Sequence, residues 1–80
     1  MRVHDLIETN PEVMLGKPVI RGTRIPVELI VRKLGEGASM EDLLDGYPQL
    51  TKTAVQAALI YAADVIRNET IIYLKTGTAD

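Results

Sequence analysis

The sequence predicts a mainly α-helical fold, three helices behind a small N-terminal β-ribbon. Three observations predict it: an apolar stripe opening at Pro26, a capping tetrapeptide at Ser39, and an alanine-rich run after Thr51. With 80 residues the chain is one domain, organised as a ribbon and loop over 1–25, a three-helix core over 26–68 and an apolar-to-polar tail over 69–80.

The ribbon is read from two short apolar runs, Val13-Met14-Leu15 and Pro18-Val19-Ile20, around Gly16-Lys17. Glycine at the first central position suits a tight hairpin turn, and proline fits only the start or edge of a strand. Residues 1–10 carry no clear period.

Pro26 has the fixed φ that suits a first helical position, and Glu28 places an acid where the helix dipole favours it. Val27, Ile30, Val31 and Leu34 repeat at i, i+3, i+4, i+7 and define a buried stripe, with Glu28 and Arg32 on the outer face. Gly35 and Gly37 end the helix. Ser39-Met40-Glu41-Asp42 then reads as a capping box opening a shorter helix that buries Met40, Leu43 and Leu44 and stops at Gly46. A Pro48-bearing turn follows. Thr51 is an N-cap, Leu50 is placed to staple on Val55, and Val55, Ala58, Leu59, Ala62 and Ile66 form the expected inner stripe of a helix reaching about Asn68. Alanines 57, 58, 62 and 63 let a neighbour approach closely. The tail from Thr70 begins as a β-like apolar run. A short capped helix, a turn and a longer helix make a helix-turn-helix arrangement, which also describes bundles that never touch nucleic acid.

Composition narrows the chemistry. There is no Cys, Phe or Trp, so disulfides and thiolate metal sites are excluded and the core must come from aliphatic residues. A chain this short buries only ~60% of its unfolded surface, a thin core that oligomerisation often supports. No run is long enough to span a bilayer and the N-terminus lacks a signal-peptide pattern, so a cytoplasmic protein is expected. Net charge is −2, but residues 1–33 hold six basic and four acidic side chains against three and seven in the remainder. A DNA contact would therefore be local and weighted to the N-terminal half.

No enzyme is expected. His4 stands alone, Glu41, Asp42 and Asp45 read as helix-start and surface acids, no hydroxyl has a nearby base, and Gly16 and Gly22 match no phosphate-loop spacing. No metal or cofactor is implied. The candidate DNA contacts are Lys52, Thr53 and Gln56 at the start of the third helix, with Arg21, Arg24, Arg32 and Lys33 positioned for phosphates. Arg21 and Arg24 bracket a Gly22-Thr23 bend that would aim guanidiniums and backbone N–H groups outward, or brace the loop through carboxylates. Val65, Ile66, Ile71, Ile72, Tyr73 and Leu74 concentrate apolar surface near the C-terminus, which suits a homodimer or partner interface or a fold-back over the chain's own core.

The segment from Gly16 to Ala63 resembles the domain-of-unknown-function family 433. Gly16, Lys17, Pro18, Ile20, Gly22, Thr23, Arg24, Ile25 and Val27 match its first block, Tyr47, Pro48, Leu50 and Thr51 its turn, and Ala57, Ala58 and Ala63 its last helix. The resemblance covers about residues 5–65. It implies a homeodomain-like helix-turn-helix bundle and a role among small bacterial antitoxins, some VapB-like, encoded beside a PIN-like ribonuclease toxin. Such an antitoxin binds operator DNA with its folded domain and covers the toxin with another segment. In this chain that segment would be residues 68–80 or a folded surface. The alternative function is a protein-interaction or oligomerisation module that does not bind DNA.

Overall fold

The computed structural model describes residues 3–75, with side-chain surroundings for residues 5–68. After a 3-10 turn over Val3–Leu6 come β1 (Ile7–Glu8), β2 (Val19–Ile20), α1 (Val27–Gly35), α2 (Met40–Gly46) and α3 (Lys52–Lys75).

The ribbon exists, but with a different partner from the one the sequence suggests. β2 pairs antiparallel with β1, Ile7 opposite Ile20 and Glu8 opposite Val19. On its other side the Pro18–Ile20 backbone meets Ile25–Val27: Ile20 N–H donates to Ile25 O at 3.0 Å and Val27 N–H to Pro18 O at 2.9 Å. Residues 13–15 form no strand. Met14, Leu15 and Gly16 take φ of 52°, 59° and 84°, three left-handed residues in succession, which no strand can contain. The physical reason is burial: Ile7, Val19, Ile20 and Ile25 are 8% exposed or less, whereas Leu15 is 93% exposed. The pairing that forms is the one that puts the β-branched residues inside.

The helix boundaries follow local chemistry. Pro26 is extended and serves as the N-cap of α1, one position before the expected one. At the other end Gly37 N–H donates to Leu34 O at 3.1 Å and Ala38 N–H to Lys33 O at 3.0 Å, with Gly37 at φ 107°. Those two bonds are the Schellman closure, which needs the left-handed residue that glycine adopts without strain. The Ser39 hydroxyl accepts from Asp42 N–H at 3.0 Å while the Asp42 carboxylate accepts from Ser39 N–H at 2.9 Å, the reciprocal box expected. Thr51 Oγ1 accepts from Ala54 N–H at 3.1 Å, and Leu50 and Val55 on either side of that cap are both buried.

The core joins Ile7, Ile20 and Ile25 from the ribbon to Ile30 of α1, Leu43 of α2 and Val55 of α3. Ile30, Leu43 and Val55 are essentially inaccessible, each contributing roughly 1.5–3 kcal/mol by burial. On α3 the buried face is Ala54, Val55, Ala57 and Ala58, with Tyr61 and Ala62 packed at its margin. Leu59 and Ile66, expected inside, are 39% and 60% exposed. The helix packs through its small side chains because α1 lies close against it, and the larger residues are turned outward. α3 also continues as helix to Lys75, past the expected end near Asn68, so residues 70–75 are not β-like. No helix among the described residues is long and apolar enough to cross a membrane.

Candidate nucleic-acid interface

Lys52, Thr53 and Gln56 are all exposed on the first turn and a half of α3. Their placement follows from the Thr51 cap, which fixes where the helix starts, and from buried Leu50 and Val55, which fix its rotation. The buried positions 54, 55, 57 and 58 leave 52, 53 and 56 on the opposite side. These three residues therefore share one solvent-facing surface, following a short helix and a tight turn in which Leu50 N–H donates to Tyr47 O at 2.9 Å.

The four remaining candidates divide. Lys33 lines a shallow depression with Ala38, Asp42, Leu43, Gly46 and Tyr47, so it sits beside α2 and the entry to the turn. Arg32, one residue earlier, lies on the other side of α1 against the later part of α3, among Tyr61, Ala62, Val65 and Ile66. Val65 is 13 residues beyond Lys52 on α3, roughly 20 Å along the axis. Arg32 is thus not grouped with the start of α3.

Arg21 and Arg24 are exposed on the loop between β2 and the extended residues at 25–26. Gly22 has φ 79°, and Thr23 N–H donates to Ile20 O at 3.0 Å, closing a tight turn. Thr23 then works twice more: its hydroxyl donates to Ile20 O at 2.8 Å and accepts from Ile25 N–H at 3.0 Å. Arg21 N–H donates to Leu6 O at 2.8 Å, and Gly22 N–H points at the Glu8 carboxylate at 3.5 Å. The N–H groups of residues 21, 22, 23 and 25 are therefore engaged within the fold, so the loop is no backbone phosphate cradle. Neither arginine makes an ion pair among the described residues, and both guanidiniums remain available to an outside anion.

The family profile described as "Protein of unknown function (DUF433)" matches residues 7–62. The chain belongs to the DUF433 family. A DUF433 member protein from Anabaena variabilis has a crystal structure with a TM-score of 0.75 and 35% identity, covering 82% of this chain and 65% of that one. An uncharacterised protein of Sinorhizobium fredii, y4eO, is 34% identical over 58 residues, which is 72% of this chain and 26% of that protein. The chain thus spans about a quarter of that relative and just under two thirds of the Anabaena chain.

The DUF433 match runs from the first residue of β1 to Ala62, the last half-buried position of α3 among the described residues. After it residues 63–68 are exposed, among them Val65 and Ile66 of the expected interface. The side chains of Ile71, Ile72, Tyr73 and Leu74 lie outside the described residues. Sequence reasoning missed a second feature of this DUF433 domain, an open groove of about 630 Å³ between α1 and α3. Val27, Val31, Tyr61 and Val65 line it together with Pro18, and Glu28 and Arg32 are the charged residues in its lining. Glu28 and Arg32 are four apart, yet Glu28 pairs instead with Lys17, Nζ to Oε1 3.1 Å. The signals available were Tyr61 within an alanine-rich helix and the valines at the edge of the α1 stripe.

Proposed function

We propose that this DUF433 protein is a helix-turn-helix DNA-binding protein that acts as the antitoxin and autorepressor of a toxin–antitoxin pair. The observation that carries the DNA reading is the joint exposure of Lys52, Thr53 and Gln56 on the first turns of a helix anchored by the Thr51 cap. In a major groove Gln56 has the donor and acceptor for adenine, Lys52 reaches guanine or phosphate, and Thr53 bonds either. Lys33, at the entry to the turn, and the guanidiniums of Arg21 and Arg24 supply phosphate contacts, with Arg32 at the periphery. A homodimer doubles these contacts and offsets the net charge of −2. The antitoxin half rests on the family resemblance, with a PIN-like ribonuclease as the toxin, the C-terminal end of α3 as the surface for it, and the cytoplasm as the place of action.

The test is a titration with the duplex upstream of the protein's own gene against a scrambled duplex, at low and physiological salt. Preference for the native duplex, with affinity falling as salt rises, supports a repressor; equal, weak binding to both removes the DNA reading. A second reading, a protein-interaction or oligomerisation module, is favoured by the exposed Leu59, Ile60, Val65 and Ile66 on one helix.

A further inference from the structure

Two apolar features stand exposed among the described residues. The first is the tip of the 10–17 loop. Leu15 is 93% and Met14 41% exposed, and both are held in the left-handed region that L-residues other than glycine adopt at a cost. The loop is nonetheless built: Val13 N–H donates to Asn10 O at 2.8 Å, Gly16 N–H to Val13 O at 3.1 Å and Lys17 N–H to Met14 O at 3.2 Å. The second is the α1–α3 groove, an open and mostly apolar trough whose charged lining among the described residues is Glu28 and Arg32.

We infer that the groove receives the Met14-Leu15 tip of a second copy of this chain, and that the exchange is reciprocal. Three observations select that occupant. First, the trough is lined mainly by aliphatic side chains, Val27, Val31, Ala62, Val65 and Ile66, beside Tyr61, so it suits aliphatic side chains better than a polar small molecule. Second, the charges are complementary. Glu12 beside the tip and Arg32 in the groove lining are both exposed and neither has an ion pair among the described residues, whereas Lys17 and Glu28 already satisfy each other. A seated tip brings Glu12 of one copy to Arg32 of the other. Third, tip and trough adjoin: Pro18, three residues after Leu15, lines the groove, and the Lys17–Glu28 pair ties the loop to one of its lining residues. In a two-fold assembly each contact occurs twice, so a knob and a socket on the same face close on each other as a dimer instead of propagating as a filament. The seating deepens the homodimer of the preceding subsection and requires no DNA.

The experiment uses the full chain. Leu15→Asn removes the knob while keeping a residue that tolerates the left-handed conformation, so the monomer folds normally. Sedimentation and far-ultraviolet circular dichroism are measured for the wild type and the variant. The expected result is a wild-type dimer and a Leu15→Asn protein of unchanged helicity whose dimerisation is weakened at least tenfold. A second arm exploits the absence of cysteine. Leu15→Cys and Val65→Cys chains, each prepared alone and then mixed under diamide, are expected to form a disulfide-linked heterodimer that neither yields alone. A dimeric Leu15→Asn protein without that cross-link overturns the seating and leaves the homodimer standing, placed elsewhere on α3. A monomeric wild type overturns both, and the groove then belongs to a different chain.

Discussion

Replacing Thr23 by valine tests the account of the Gly22-Thr23-Arg24 loop, because it keeps the shape and β-branching and removes only the hydroxyl. Two hydrogen bonds disappear, the donation to Ile20 O at 2.8 Å and the acceptance from Ile25 N–H at 3.0 Å. They are not equivalent. Ile20 O still accepts from Thr23 N–H at 3.0 Å, so that loss is worth about 0.5–1.5 kcal/mol. Ile25 N–H has no backbone acceptor among the described residues, and its residue is 8% exposed, so orphaning it costs about 1–3 kcal/mol. The added methyl in a half-buried site returns roughly 0.4 kcal/mol, half the value of a buried methylene. The net expectation is a loss of about 2.5 kcal/mol, which in a domain of this size lowers the melting temperature by roughly 10–20 °C. Urea unfolding followed by circular dichroism, at one fixed protein concentration in case the chain self-associates, measures it. Thr23→Ser, which keeps both bonds, is expected to lose under about 1 kcal/mol. A valine variant within about 0.3 kcal/mol of wild type would refute the reasoning, as would a serine variant equally damaged.

Gly22 and Gly35 both have open space where a Cβ would go, yet their alanine variants are expected to differ in sign. At φ 79° Gly22→Ala costs about 1 kcal/mol of backbone strain, while Gly35→Ala, in a helix without positive φ, gains roughly 0.5 kcal/mol, both read from denaturant midpoints. Ser39→Ala is expected to lose about 1 kcal/mol, and Asp42→Ala added to it costs much less than it does alone, because the two capping bonds form one unit; strict additivity would count against the box. If α3 reads DNA, Lys52→Ala weakens binding at all sequences and reduces the salt slope by about 1, whereas Gln56→Ala relaxes preference at one base position. No change from either moves the interface off the start of α3.

Much of the candidate site was legible because it rests on local chemistry. Thr51 and Leu50 mark the start of α3 within a few residues, and Lys52, Thr53 and Gln56 follow on its first turns, their outward side being fixed by the burial of Val55 and its alanine neighbours. Arg32 was not legible in the same way: its exposure follows from the α1 stripe, but its separation from Lys52 depends on how α1 crosses α3. The backbone of the Gly22 loop was also hidden. Two of its N–H groups, those of Arg21 and Gly22, are taken up by Leu6 and Glu8, which lie some fourteen residues earlier and have no period to announce them.

The sequence by itself determined the elements closed by hydrogen bonds between near neighbours: the Ser39–Asp42 box, the Thr51 cap, the Gly37 stop and the Thr23 turn. Each is decided by side-chain chemistry within five residues, and tertiary packing has little leverage over it. Only the tertiary structure decided that Val19 and Ile20 pair with Ile7 and Glu8 rather than with Val13 to Leu15, because strand pairing is settled by which β-branched residues reach the common core. It also decided which side of α3 goes inside. Apolar residues surround that helix, so periodicity favours no face strongly, and close approach of α1 selects the strip where Ala54, Ala57 and Ala58 leave room. Leu59, Ile60, Val65 and Ile66 are turned outward by that choice, and the helix face available to a second chain is created by the packing of the first.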